Sequence, residues 1–226
     1  MTASRGPDGL GEAQAKERML DGILESLGSV LVAYSGGVDS SYLAVRAHRV
    51  LKERALAVTA DSESLAEAQR ASAVAVARQF RLPHRFVRTS ELSDPLYVRN
   101  ALDRCYHCKT ELFRHLVPLA AEEGLAHVVY GLIVDDLSDF RPGQRAASEA
   151  GVRSPLAEAG MGKADVRLLS RTLGLPTWAA PASPCLSSRV PHGTPVSPAI
   201  LRQVEAAEEG VRALGFLEFR VRHMGV

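Results

Sequence analysis

Apolar residues along the chain follow helical and strand-like rhythms in alternation. From Glu12 to Leu27, the positions Met19, Leu20, Ile23, Leu24 and Leu27 recur at helical spacing and predict an amphipathic helix. The run "VLVAY" (30–34) reads as a fully buried strand, residues 41–52 as a helix, and "ALAVTA" (55–60) as a second strand. An Ala-rich helix is predicted over 64–80 and a third strand over 84–89 ("HRFVRT"). A helix follows Cys108 to about residue 123 despite Pro118, and "AHVVYG" (126–131) is a fourth buried strand. Strands that are continuous apolar runs, alternating with helices, predict an α/β fold: a Rossmann-like parallel sheet with helices on both faces.

Beyond Gly131 the texture changes. "LIVDDLSDFRPGQRAASEAGVRSPLAEAG" is polar and punctuated by Gly and Pro, as functional loops are. A helix is predicted at 163–173. Six prolines within 176–198 then predict an extended connector, followed by a helix from Pro198 and a strand, "LEFRVR", at 217–222. The expected organisation is a disordered N-terminus at 1–11, a nucleotide-binding domain at 12–180, and at 181–226 the connector with a small, truncated C-terminal α+β domain.

Composition narrows the class. The 226 residues are 46% hydrophobic and 23% charged, with a formal net charge of +1. Such a chain can bury one substantial core, and its balanced charge gives no field for nucleic acid or a membrane surface. No apolar run approaches the roughly 18–20 residues of a membrane span. The N-terminus carries acids and no apolar h-region, so a cytoplasmic chain without a signal peptide is expected. Three cysteines in that compartment argue against a disulfide framework: Cys105 and Cys108 form a C-x-x-C pair, and Cys185 stands apart.

The first candidate chemistry is "SGGVDS" (35–40), between a predicted strand and a predicted helix. Gly36 and Gly37 let the backbone approach phosphate oxygens, and the following helix aims its unpaired N–H groups and positive dipole end at the anion. Ser35 and Ser40 offer hydroxyl donors, and Asp39 a carboxylate for Mg²⁺. The G-x-x-x-x-G-K-[ST] pattern is absent, and with it the lysine that reaches the β/γ phosphates. Such a cradle suits holding the pyrophosphate end of ATP while the α-phosphate is attacked; the plain alternative is a tight strand-to-helix turn.

"SGGVDS" resembles the PP-loop of the N-type ATP pyrophosphatases, which include NAD, GMP and asparagine synthetases and several tRNA thiolases. The resemblance implies adenylation of an oxygen, release of pyrophosphate and displacement of AMP by a nucleophile. It also implies that "TADSES" (59–64) contacts the adenosine through Asp61 and Ser62, although an ordinary helix cap would use the same residues.

The cysteines leave the chemistry open. A C-x-x-C pair binds zinc, cycles redox or sits idle. A zinc site would need a fourth ligand beside Cys185, with His107 and His192 as candidates; three thiolates would instead suit a [4Fe–4S] cluster with one open iron. "RCYHCK" (104–109), "DFRPGQRAASEAG" (139–151) and "PCLSSRVPHGT" (184–194), with the PP-loop, closely resemble the LarE family of ATP-dependent sacrificial sulfur transferases, over about residues 18–222. The resemblance implies a small-molecule nucleotide substrate, pyridinium-3,5-biscarboxylic acid mononucleotide, one carboxylate of which becomes a thiocarboxylate. Sulfur comes either from a single cysteine, here Cys185, or from a [4Fe–4S] cluster held by Cys105, Cys108 and Cys185; the three-cysteine pattern favours the cluster.

By the same resemblance ATP is bound with Mg²⁺ through Ser35, Gly36, Gly37, Asp39, Ser40, Asp61, Ser62, Gly131, Asp136 and Ser188, while Lys109 and Arg141 polarise phosphate. Arg189, Glu208, Arg220 and Arg222 engage substrate, the last two as a fork on one strand face. Homo-oligomers, trimers or hexamers, are implied, with no nucleic-acid or membrane partner. Two other readings remain: a tRNA thiolase of the PP-loop type with a [4Fe–4S] cluster, which the balanced charge disfavours, and a non-catalytic adenine-nucleotide-binding module.

Overall fold

The computed structural model describes residues 7–137, 142–216 and 218–225. Among these, strands β1 (Val30–Ala33), β2 (Ala55–Asp61), β3 (His84–Arg88) and β4 (His127–Tyr130) form one parallel sheet in the order β3-β2-β1-β4. Register follows from alternate side chains. Val30, Val32, Ala55, Ala57 and Val129 face one core, whereas Leu31, Leu56, Val58 and Val128 face the other. Both sheet faces are covered, as apolar runs in parallel strands require.

Helices α1 (Pro7–Leu27), α2 (Val38–Leu51), α3 (Glu67–Phe80) and α8 (Lys163–Thr172) contribute Leu20, Leu24, Leu43, Val76, Val166 and Leu169 to the first core. The opposite face is covered by α5 (Arg104–Glu122), through Phe113, Leu116 and Ala120, and by α6 (Pro142–Glu149) through Ala147. A third, smaller core gathers Tyr97 of the one-turn helix α4 (Pro95–Val98) with Leu186, Val190, Val196, and Leu201 and Val204 of α9 (Pro198–Ala213). Ser197 caps α9 by accepting from Ile200 N at 3.3 Å, with Pro198 in its first turn.

Strand order reverses between β1 and β4. The chain runs outward from β1 through β2 to β3, then crosses back to lay β4 on the other side of β1. Loops leaving the C-terminal ends of β1 and β4 therefore diverge and open a crevice, the usual ligand position in such sheets. "SGGVDS" leaves β1 there, and Gly131 leaves β4.

Several expectations need correction. The first helix begins at Pro7, so 7–11 is helical rather than disordered. Cys105 and Cys108 lie within α5 rather than before it. The polar segment after Gly131 contains α6 and the one-turn helix α7 (Pro155–Glu158), and the proline-rich connector contains a 3-10 turn at Leu186–Arg189. Residues 218–222 form no strand; Val221 N instead donates to Glu208 Oε1 at 3.2 Å and His223 N to Arg189 O at 3.0 Å. Arg220 and Arg222 are exposed and do not form the expected strand fork. No described helix is long and apolar enough to cross a membrane.

Candidate active site

The loop after β1 is built to stay open at its backbone. Gly36 has φ +73°, and a Cβ on it would lie 2.8 Å from Ala73 N of α3, so only glycine fits. Gly37 precedes α2 with no side-chain cap, leaving the first N–H groups of the helix free for an anion. The hydroxyls of Ser35 and Ser40 lie 3.0 Å apart, Ser35 N donates to Ser40 Oγ at 3.2 Å, and Gly37 N to Ser35 Oγ at 3.4 Å. Gly131 lies against this loop from β4: a Cβ there would be 2.9 Å from Ser40 N.

Asp39 is held from a distance the sequence motif does not span. Lys163, the first residue of α8, places Nζ 2.5 Å from Asp39 Oδ2, while Asp39 Oδ1 is buried with no hydrogen-bond partner among the described residues. An orphaned carboxylate oxygen beside a phosphate cradle is a donor that Mg²⁺ takes, so the loop fits that ion. Lys163 is fixed at its backbone, N donating to Asp135 Oδ2 at 2.9 Å, and Gly162 lets that carboxylate approach closely, since a Cβ there would lie 2.7 Å from the same oxygen. A cation at a helix N-terminus opposes the dipole, which is the one sign in "GMGKADVR" that Lys163 has other work.

The loop after β2 is organised by a residue that sequence reasoning missed. Buried Glu91 accepts from Ser62 Oγ at 2.7 Å, from Thr89 Oγ1 at 3.2 Å and from Ser64 Oγ. Asp61 is ion-paired to Arg70, whose guanidinium lies 4.5 Å from the Phe86 ring centroid. Ser64 O accepts from Leu186 N at 3.0 Å, so the cysteine-bearing connector abuts this loop directly.

The three cysteines gather around that junction. Cys105 is exposed, and Cys108 and Cys185 are half-buried. Burial first, then the neighbouring Cys185 and Glu91, push the Cys108 thiol well above its ordinary range, against the pull of Lys109. Burial likewise raises Cys185, opposed chiefly by Arg104. Arg104 is itself buried and donates to Ser187 O at 2.7 Å and to Asn100 Oδ1. Asn100 Nδ2 donates to Pro191 O at 2.8 Å and Thr194 O at 2.9 Å, so the connector is pinned on both sides of Arg189. Among the described residues, however, no three or more of His, Cys, Asp and Glu are arranged to hold a metal ion. Cys105 and Cys185 both raise the Cys108 thiol, so the three cysteines stand as neighbours, as the expected [4Fe–4S] cluster requires.

Other expected residues are distributed as follows. Lys109 Nζ lies 5.7 Å from the ring centroid of Phe113, one turn on in the same helix, and 5.6 Å from that of Tyr130 at the end of β4. Asp136 sits in the turn after β4, its carbonyl accepting from Gln144 Nε2 at 2.7 Å. Ser188 is exposed and accepts from Arg189 Nη1 at 3.0 Å. Arg141 lies outside the described residues. Arg189 and Glu208 are engaged with each other, Nε to Oε1 at 2.8 Å and Nη2 to Oε2 at 3.2 Å. Beside them opens a cleft of about 570 Å³ whose cations are Arg167, Arg189, Arg212 and Arg220, two of them, Arg167 and Arg212, not singled out by the sequence.

Comparison with known proteins accounts for this geometry. Residues 21–111, from α1 through the PP-loop to the cysteine pair, match the family model of asparagine synthase. An uncharacterized protein of Synechocystis sp. is 46% identical over 196 residues, covering 87% of this chain and 73% of its own. The pyridinium-3,5-bisthiocarboxylic acid mononucleotide synthase of Lactiplantibacillus plantarum is 39% identical over 208 residues, 92% of this chain and 75% of that one. An uncharacterized protein of Methanocaldococcus jannaschii is 27% identical over 183 residues, 81% of this chain and 69% of that one. A glycine-lined ATP cradle abutting a cysteine-bearing connector, together with identity at this level and extent, means that the chain belongs to the LarE family of ATP-dependent sulfur transferases.

Proposed function

We propose that this chain replaces carboxylate oxygen by sulfur on pyridinium-3,5-biscarboxylic acid mononucleotide, with Cys185 as the sulfur donor. A substrate carboxylate oxygen attacks the α-phosphorus of ATP, the α–β P–O bond breaks, and pyrophosphate leaves. The Cys185 thiolate then attacks the acyl carbon and AMP departs with the electron pair of its C–O bond. Loss of the Cys185 Cα proton and cleavage of its Cβ–S bond leave dehydroalanine on the protein and a thiocarboxylate on the product. Asp39 and the α2 N-terminus hold Mg²⁺ and phosphate, and Glu91 shapes the adenosine loop. Arg167, Arg212 and Arg220 give the adjacent cleft the charge to take a phosphate and a second carboxylate.

The observation that carries this reading is the hydrogen bond from Leu186 N to Ser64 O at 3.0 Å, which joins the residue after Cys185 to the nucleotide loop. It supports a part for Cys185 in the transfer by keeping the connector beside the adenosine loop, and the test below separates donation by Cys185 from donation by a cluster that Cys185 helps to hold. The test is incubation with ATP, Mg²⁺ and the dicarboxylate nucleotide, followed by mass spectrometry of substrate and protein. The expected products are AMP, pyrophosphate, a sulfur-for-oxygen gain in the nucleotide, and loss of H₂S from Cys185. ADP release would refute adenylation. Sulfurated product with an intact Cys185, in protein showing the visible absorption of iron and sulfide, would return the role to a cluster.

A further inference from the structure

The backbone carbonyl of Cys185 is gripped by two donors at once. Ser188 N donates to Cys185 O at 2.9 Å, closing the 3-10 turn Leu186–Arg189, and Arg189 Nη1 donates to the same oxygen at 3.2 Å. The second donor is a buried cation, its side chain 5% exposed. Glu208 holds the far edge of that guanidinium through Nε and Nη2, which sets its plane and turns Nη1 toward the connector. There Nη1 also donates to Pro184 O at 2.5 Å and to Ser188 Oγ at 3.0 Å. The short bond to Pro184 O fastens the connector. The longer one to Cys185 O has room to tighten if that oxygen gains charge.

Sulfur donation by Cys185 gives the oxygen such a charge. Once AMP has left, Sγ is joined to the substrate acyl carbon as a thioester, and sulfur is released only when the Cα–H and Cβ–S bonds break. The Cα proton passes to water, its electron pair moves into the Cα–C bond, and the carbonyl π pair moves onto Cys185 O as an enolate. That pair then returns, Cα=Cβ forms, and the thiocarboxylate leaves with the electrons of the Cβ–S bond. A peptide Cα–H is a very weak acid, so the stability of the enolate oxygen governs this step. Donors already aimed at that oxygen need no reorganisation, and a cationic one binds the oxyanion more strongly than the neutral carbonyl.

We infer that Arg189 Nη1 and the Ser188 N–H form an oxyanion hole for the enolate of Cys185. Arg189 is thereby a catalytic residue of the sulfur-releasing elimination, and Glu208 is the residue that positions it. This inference rests on the reading of Cys185 as sulfur donor given above.

The experiment is a single turnover of the full chain with Mg²⁺–ATP and the dicarboxylate nucleotide, quenched in acid at intervals and read by mass spectrometry of the intact protein. The quantity measured is the rate at which the thioester adduct on Cys185 gives way to dehydroalanine. Native protein is compared with the double variant Arg189→Met, Glu208→Leu and with Arg189→Lys, and thermal melts confirm that each variant folds. The adduct should accumulate in the double variant and break down about a hundredfold or more slowly, as befits loss of one oxyanion donor. Arg189→Lys, which keeps a cationic donor, should fall between. A residue that only fastens the connector would slow formation of the adduct and not its breakdown. Breakdown at the native rate in the double variant, or loss of adduct formation alone, would therefore overturn the inference and leave the donor reading standing. Native protein that yields sulfurated nucleotide with Cys185 intact would overturn both.

Discussion

Arg189 and Glu208 form a side-by-side pair across the connector and α9, with Nε–Oε1 2.8 Å, Nη2–Oε2 3.2 Å, and side chains only 5% and 6% exposed. Arg189 also donates to Pro184 O at 2.5 Å and Cys185 O at 3.2 Å, and Glu208 accepts from Val221 N. The pair thus ties the backbone at Cys185 to α9 and to the chain's last described segment. Arg189→Ala or Glu208→Ala alone leaves a buried charge and should cost about 3–5 kcal/mol, whereas the double variant Arg189→Met, Glu208→Leu should cost far less. Urea denaturation of the three variants checks this; single losses as mild as a surface pair's would refute it.

Neighbouring glycines of the phosphate loop should respond differently to one methyl group. At Gly36 the positive φ and the 2.8 Å approach to Ala73 N make Gly36→Ala destabilising by about 1–3 kcal/mol. At Gly37 the nearest atom to a new Cβ is Ser35 Oγ at 3.5 Å, so Gly37→Ala should leave the unfolding midpoint unchanged. Equal midpoints for both variants would contradict the loop geometry.

Gly131→Ala places a methyl 2.9 Å from Ser40 N and must push α2 away from β4. Because that amide belongs to the phosphate cradle, ATP affinity should fall by about tenfold or more, with an overpacking cost of about 1–3 kcal/mol. Fluorescence titration with a labelled ATP measures the first effect and chemical denaturation the second.

Glu91→Ala removes the acceptor of Ser62, Ser64 and Thr89. Hydrogen bonds to a charged partner are worth about 1.5–3 kcal/mol each, so the loop after β2 should loosen and KM for ATP rise. Glu91→Gln, which keeps an acceptor oxygen, should fall between. An unchanged KM in Glu91→Ala would mean that the nucleotide does not use this loop.

Burial raises the Cys108 and Cys185 thiols above their ordinary range. Below the pKa of an unfolded thiol, about 8.5, both states keep the proton and pH has no effect through these groups. Above it the unfolded chain ionises first, so the stability these thiols contribute is lost as pH rises toward the folded values. Urea midpoints should therefore decline between about pH 8.5 and 10, and less steeply in Cys108→Ser, Cys185→Ser protein; parallel declines would refute the shift.

The four strands were legible because each is an apolar run flanked by polar turns, and β2 closes within one residue of its expected end. Helix starts were less so: α2 begins at Val38 because the serines of "SGGVDS" double as its first turn, which polarity alone reads as loop. "LEFRVR" has the alternation of a strand, but among the described residues 218–222 have no neighbouring strand to pair with, and Val221 N turns to Glu208 instead. In the site, the glycines and hydroxyls of the PP-loop stand in one local stretch and could be read there. Lys163 and Glu91 could not, because their partners lie far along the chain and only the crossover between β1 and β4 and the return of the chain beside β2 bring them close. The ion pair of Arg189 was likewise not legible, because a cation in a proline-rich connector gives no hint of a glutamate waiting one helix later.

The hydrogen bond between Leu186 and Ser64 has a consequence in time as well as in space. An acyl adenylate is short-lived in water, and its fate depends on whether thiol or solvent reaches it first. On the function proposed above, a connector fastened to the loop that would seat the adenosine keeps the thiol waiting before the adenylate exists. Sulfur's head start would then be written into the backbone, and a chain whose connector came loose would still split ATP but would waste it.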